Sequence, residues 1–232
     1  AVPPAYEGRV DLSLSLEEPE PDAGGVAGDL GVETADFNDA DDGQLTISNQ
    51  TVSEVGVFDM TVTPEDYFGV SVGESTVEDI GRFYPDDFRV TVESAGTFNN
   101  SCSGNFTYVG QPFDYLVSPQ LRIIALNRAG GELQNYIGDF NKLGTVSVLS
   151  PAEDSTTMGS DGTAPLPLVS VISAGSFADD AISAWQKIYT FDSNDSFTYT
   201  RNANAQVAEF TADINLEISS LTDGEATAST LP

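Results

Sequence analysis

The stretch Val10-Asp11-Leu12-Ser13-Leu14-Ser15-Leu16 decides the fold. Its apolar residues occupy every second position, with a polar residue between each pair. Successive side chains of a strand point to opposite faces, so this segment has one face to bury and one to wet. The same period recurs along the chain. It is seen at Leu45 and Ile47, at Val55 and Val57 followed by Met60 and Val62, and at Phe88, Val90 and Val92. Leu121, Ile123 and Ala125 repeat it, as do Val146 and Val148, Val169 and Val171, and Phe197 and Tyr199. Val207, Glu209 and Thr211, then Ile214, Leu216 and Ile218, close the series. About a dozen short strands, with turn residues every 8–12 positions, predict antiparallel sandwiches or barrels. The fold class expected is all-β: tandem Ig-like antiparallel β-sandwiches with very little helix. The best helical candidate is Phe177 to Lys187, where Asp179 or Asp180 is placed to cap a turn or two before Ala181, Ile182 and Trp185.

Three segments read as loops: residues 17–28, rich in Pro, Gly and acid; the acidic residues 35–43; and the polar residues 152–164. One strand series ends and another begins around Pro85-Asp86-Asp87, so two domains are expected, 1–86 and 87–232. The start, AVPPAYEG, carries no basic segment ahead of an apolar one and reads as a linker or a processed end. We expect a mature form or a piece of a longer protein. The longest apolar stretch, Ala164 to Ala174, is broken by Pro165 and Pro167 and is too short to span a bilayer, so no membrane insertion is expected.

Composition excludes several functions. The chain has 8 Lys+Arg against 37 Asp+Glu, a net charge of −29, and no His. Phosphate backbones are held by Lys and Arg, so nucleic acid is not an expected partner. Without His there is no His-based triad and no HExxH zinc site, and the single Cys102 excludes Cys-rich zinc sites and an internal disulfide. No nucleophile motif and no phosphate-binding loop occurs. Paired carboxylates are expected by chance at this acid density, so we expect no enzyme.

The chain becomes specific at Ile80-Gly81-Arg82-Phe83-Tyr84-Pro85-Asp86-Asp87-Phe88. Ser53-Glu54-Val55-Gly56 and Asp66-Tyr67-Phe68-Gly69 precede it. Cys102-Ser103-Gly104-Asn105-Phe106-Thr107-Tyr108-Val109-Gly110-Gln111-Pro112-Phe113 follows, then Asn127-Arg128-Ala129-Gly130-Gly131 and Asn135-Tyr136-Ile137-Gly138-Asp139-Phe140. Together, in this order, these resemble the uncharacterised domain of MshQ-like proteins, with a weaker match at Thr222-Asp223-Gly224-Glu225. Those are large secreted bacterial proteins, some associated with the mannose-sensitive haemagglutinin type IV pilus. The resemblance implies a secreted or cell-surface, β-rich module linked to a pilus or adhesin, and it implies no catalytic residues.

The motif residues also allow physical expectations. Arg82 lies between Glu78-Asp79 and Asp86-Asp87 and is expected to make bidentate carboxylate bonds. With Phe83, Tyr84, Pro85 and Phe88 it would fix the angle between domains. Gly130-Gly131 is expected to supply positive φ in a tight hairpin. A ligand face of Tyr108, Phe113 and Tyr115, joined by Tyr84, is the alternative to purely structural roles. No cofactor is expected, with Ca²⁺ as the alternative: Asp36, Asn38, Asp39, Asp41 and Asp42 give the oxygen density that suits it, although the spacing is not that of an EF-hand. The competing reading is a solvated acidic loop.

Two function classes follow. One is a structural and interaction module extending an adhesin or filament. The other is a sandwich that binds carbohydrate or protein, with or without Ca²⁺. Partners are expected to be further copies or other domains of a surface protein. Val10, Leu12, Leu14 and Leu16 form a candidate donor strand for a neighbouring subunit. The alternative is that this strand pairs within its own domain.

Overall fold

The computed structural model describes residues 6–103, 106–143, 159–160, 165–201, 203–211, 214–216, 218 and 220–232. Among the described residues the chain is nearly all β and sandwich-like in class, with three four-stranded antiparallel sheets. It divides into two compact units: residues 1–87 with 125–141, and residues 88–124 with 142–232. The chain therefore passes between the units three times.

The first unit is built on β1 (Gly8–Glu18), β2 (Thr34–Phe37), β3 (Gly56–Pro64) and β4 (Ser75–Phe83), in the order β2-β1-β3-β4. The alternating segment is β1. It pairs with β3 from Val10 opposite Pro64 to Leu16 opposite Phe58, and with β2 from Gly8 opposite Phe37 to Asp11 opposite Thr34. Val10, Val55 and Phe58 are buried, and so are Leu133, Tyr136 and Phe140 from the returning segment 125–141.

The second unit holds β5 (Asp87–Ser94), β6 (Thr97–Phe98), β7 (Phe113–Val117), β8 (Gln120–Leu126), β9 (Leu168–Val171), β10 (Ser176–Asp179), β11 (Gln186–Thr190) and β12 (Ser196–Tyr199), apart from Asp87 and the last two residues of β8. Their sheet orders are β10-β11-β8-β5 and β6-β7-β12-β9. The core is aromatic. Phe98 lies 5.2 Å from Phe113, 5.6 Å from Tyr115 and 5.4 Å from Phe197 between ring centroids. Tyr199 stacks on Phe113 at 6.1 Å. Phe88, Val90, Leu121, Ile123, Tyr189 and Phe191 are buried in the same unit.

Several local expectations are corrected. Phe177 to Lys187 is not helical: it is the β10–β11 hairpin. Asp180 does cap a turn, accepting the Ile182 and Ser183 N–H groups at 2.9 and 3.0 Å. Ile182 is 94% exposed, however, so there is no apolar helix face to bury. Leu45 and Ile47 lie outside any strand, as do residues 207–211 and the described part of 214–218. Conversely, part of the acidic loop at 35–43 is strand β2, held by its ladder to β1. Val146 and Val148, with most of the polar loop 152–164, lie outside the described residues.

Candidate functional site

The motif residues of the first unit converge on a buried polar clasp. Segment 125–141 opens with a turn in which Asn127 N–H donates to Gly131 O at 2.9 Å. The Asn127 side chain closes that turn from inside. Its Oδ1 accepts the Ala129 and Gly131 N–H groups, and its Nδ2 donates to Ser53 O at 3.0 Å. Gly130 has φ +82°, as expected, but Gly131 is needed for space instead. A Cβ there would sit 2.8 Å from Asn127 Nδ2.

Asn135 is 0% exposed and uses every part of its amide. Nδ2 donates to Val26 O and Val55 O at 2.9 and 3.0 Å, and Oδ1 accepts Val26 N–H at 2.7 Å. Glu54 completes the clasp, accepting the N–H groups of Gln134 at 3.1 Å and Asn135 at 3.2 Å. Burial pushes the Glu54 carboxyl above its ordinary pKa, against the pull of the backbone donors of Gln134, Asn135 and Val55. Gly56 begins β3 at φ +146°, where a Cβ would fall 2.5 Å from Glu18 O. The Arg82 guanidinium lies 5.2 Å from the Phe140 ring centroid, a cation–π contact, and Phe83 packs edge-on against Phe58 at 5.9 Å.

The second motif closes a surface loop. Cys102 N–H donates to Phe106 O at 3.2 Å, and Gln111 N–H to Tyr108 O at 2.9 Å. Gln111 Oε1 accepts the Tyr108 N–H at 3.1 Å and faces the Cys102 thiol at 3.5 Å. The thiol thus has a local role as a weak donor to this loop. Every one of these contacts is a fastening made within one unit.

A family model described as DUF6701, third domain, matches residues 54–231. The chain belongs to this family. No curated protein and no solved structure matches it. In this DUF6701 domain the match begins at Glu54, a member of the clasp, while β1 and β2 precede it.

The other sequence candidates fall in separate places. Asn38 and Asp41, which precede the matched residues, cap a short 3₁₀ turn: Asn38 Oδ1 accepts Ala40 N–H, and Asp41 Oδ2 accepts Asn38 N–H. Asp42 takes the left-handed conformation after it, Asp39 begins the turn, and Asp36 sits on β2 opposite Arg9. Among the described residues no group of three or more acidic or Cys side chains is arranged to hold a metal ion. Of the proposed ligand face, Phe113 and Tyr115 point into the core of the second unit, whereas Tyr108 is exposed and packs on Phe106 at 5.1 Å. Tyr84 is exposed, Pro85 is buried, and Phe88 belongs to the core of the second unit. Val10, Leu12, Leu14 and Leu16 lie on β1, which is hydrogen-bonded to β3 along its length and to β2 at its start.

Sequence reasoning missed a buried carboxyl in the DUF6701 domain. Asp195 is 0% exposed and immediately precedes β12. Its Oδ1 accepts Ser173 N–H at 2.7 Å, and its Oδ2 has no hydrogen-bond partner among the described residues. Burial raises its pKa, and Asp192 adds to the effect against the Ser173 donor. The Tyr115 hydroxyl is also buried with no hydrogen-bond partner among the described residues, and burial followed by the Asp195 charge pushes its pKa up. Nothing in the sequence marks which acid of the DSNDS run at 192–196 turns inward.

Proposed function

We propose that this domain is a non-enzymatic structural and interaction module of a secreted or cell-surface bacterial protein, of the MshQ-like, pilus- or adhesin-associated kind. On this reading the two units are tandem Ig-like sandwiches, and their partners are other domains or copies of a surface protein. The observation that carries the proposal is the fate of the motif residues. Glu54, Asn127, Asn135, Arg82 and Gln111, the polar groups a catalytic reading would recruit, are engaged in holding backbone and rings in place. High acidity suits a displayed module, because net charge keeps it soluble. No helix among the described residues is long and apolar enough to cross a membrane.

Ca²⁺ has a minor part in this reading. Asn38 and Asp41 already spend their side chains on the turn, so binding at 36–42 is expected to be weak, and calorimetry with calcium chloride checks it. Surface display is tested by antibody labelling of intact host cells. The module reading expects label without permeabilisation, and label appearing only after lysis overturns it.

A further inference from the structure

The connection between β3 and β4 in the first unit contains a turn that its own residues do not favour. Tyr67 N–H donates to Val70 O at 2.9 Å and Val70 N–H donates to Tyr67 O at 3.0 Å, which leaves Phe68 and Gly69 at the two central positions. Their φ angles are +52° and +77°. A two-residue turn with both centres left-handed prefers Asn-Gly or Gly-Gly, because a bulky side chain is strained at the first of them. Gly69 meets that demand and Phe68 does not. Burial does not offset the strain, since Phe68 is 89% exposed, and Val70 beside it is 67% exposed. The Phe68 ring nevertheless stands on a firm base. It lies edge-on to Tyr67 at 4.5 Å, and Tyr67 packs on Tyr6 at 5.5 Å. Tyr6 is buried, and its hydroxyl donates to Arg9 O at 2.9 Å. Asp66-Tyr67-Phe68-Gly69 is thus a motif segment that the clasp does not use and that presents an aromatic ring to solvent.

We propose that Phe68 is an anchor for a different protein, inserted into an apolar pocket whose rim carries Lys or Arg. Backbone strain that the surrounding structure holds in place gathers at binding positions. A ring already fixed by its neighbours loses little freedom on entering a pocket, and aromatic anchors of this kind carry much of the energy of protein interfaces. Charge sets the rim. Between Pro64 and Gly81 the chain carries Glu65, Asp66, Glu74, Glu78 and Asp79 and no Lys or Arg. These acids repel an anionic bilayer and the same tip of a second copy, and they steer a basic rim toward the ring. The proposal rests on the interaction-module reading and adds the point of contact and the kind of pocket that receives it.

Two measurements test it. In the first, Phe68→p-benzoylphenylalanine, which keeps an aromatic ring, is photo-crosslinked on intact host cells, with the same replacement at the exposed Ile182 as control. We expect an adduct to a different protein from position 68 only, joined through a peptide that contains Lys or Arg. In the second, the purified chain is titrated by calorimetry with amino-β-cyclodextrin, an apolar cavity ringed by ammonium groups, and with neutral β-cyclodextrin. The charged form should bind about fivefold tighter at low salt. Phe68→Asn should lose this binding and melt no lower than the wild type, because Asn suits the turn, whereas Ile182→Asn should bind unchanged. No adduct at position 68, an adduct joining two copies, an adduct to lipid or glycan, or equal cyclodextrin binding by Phe68→Asn overturns the proposal. So does a clear fall in the melting temperature of Phe68→Asn, which would make the ring part of the fold. None of these failures touches surface display, which antibody labelling of intact cells measures separately.

Discussion

The two units solve the same problem with different materials. The first joins distant segments with a buried amide and carboxylate: Asn135 and Glu54 tie residues 133–137 to Val26 and Val55. The second relies on aromatic packing, with Phe98, Phe113, Tyr115, Phe197 and Tyr199 gathered on one sheet. Apolar packing is tolerant of exchange but sensitive to volume. A buried polar clasp is sensitive to a single lost donor, because the partner it leaves behind has no water to turn to. The first unit should therefore be brittle at its polar clasp, and the second at its ring packing.

The largest effect is expected from Phe197→Ala in the aromatic core. Phe197 is fully buried and in ring contact with Phe98, Phe113 and Tyr115. Its truncation should cost about 3–5 kcal/mol in urea unfolding. Asn135→Ala should follow at about 2–3 kcal/mol, since it strands Val26 N–H, Val26 O and Val55 O. A cost for Asn135→Ala near that of an average surface change would break the comparison, because the clasp would then be decorative.

A pH series sharpens it further. The pKa values of Glu54 and Asp195 are raised in the folded chain. Such groups give their full stability below their unfolded values, roughly pH 4, and lose it as pH rises through the folded values. Glu93 and Asp180, lowered by Arg122 and by backbone donors respectively, work the other way and lose their contribution as pH falls through their folded values. Stability should therefore rise from pH 8 into mild acid before falling. Glu54→Gln and Asp195→Asn should each flatten the rising limb, and thermal melts across that range decide it. The smallest effect is expected from Arg82→Ala: loss of the contact over Phe140 should cost about 0.5–1 kcal/mol, with Arg82→Lys partly restoring it.

Period two made the fold class legible, because alternation needs only one strand's own residues. It failed where a partner decides. Thr34-Ala35-Asp36-Phe37 has little apolar pattern and becomes a strand only against β1. Ile214 and Leu216 are half-buried and Ile218 is buried, yet none of the three lies in a named strand. The motifs at 53–56, 127–131 and 135–140 were visible as text, but their meaning was not. A polar side chain at the centre of a unit is invisible to hydrophobic periodicity, and the bonds of Asn135 reach back 80 and 109 positions along the chain. Gln111 and Cys102, nine apart, close a loop that local sequence did hint at.

In the first unit the motif residues Glu54, Asn127 and Asn135 fasten residues 125–141 to the rest of that unit. Native-state hydrogen exchange on the wild type and on Glu54→Ala tests it most directly. Glu54 accepts the Gln134 and Asn135 amides, so its loss should open the clasp as a group. Protection should fall together at Val26, Val55 and Leu133 to Ile137, while β11 and β12 keep theirs. Protection at Leu133 to Ile137 that survives the loss of Glu54 would contradict it.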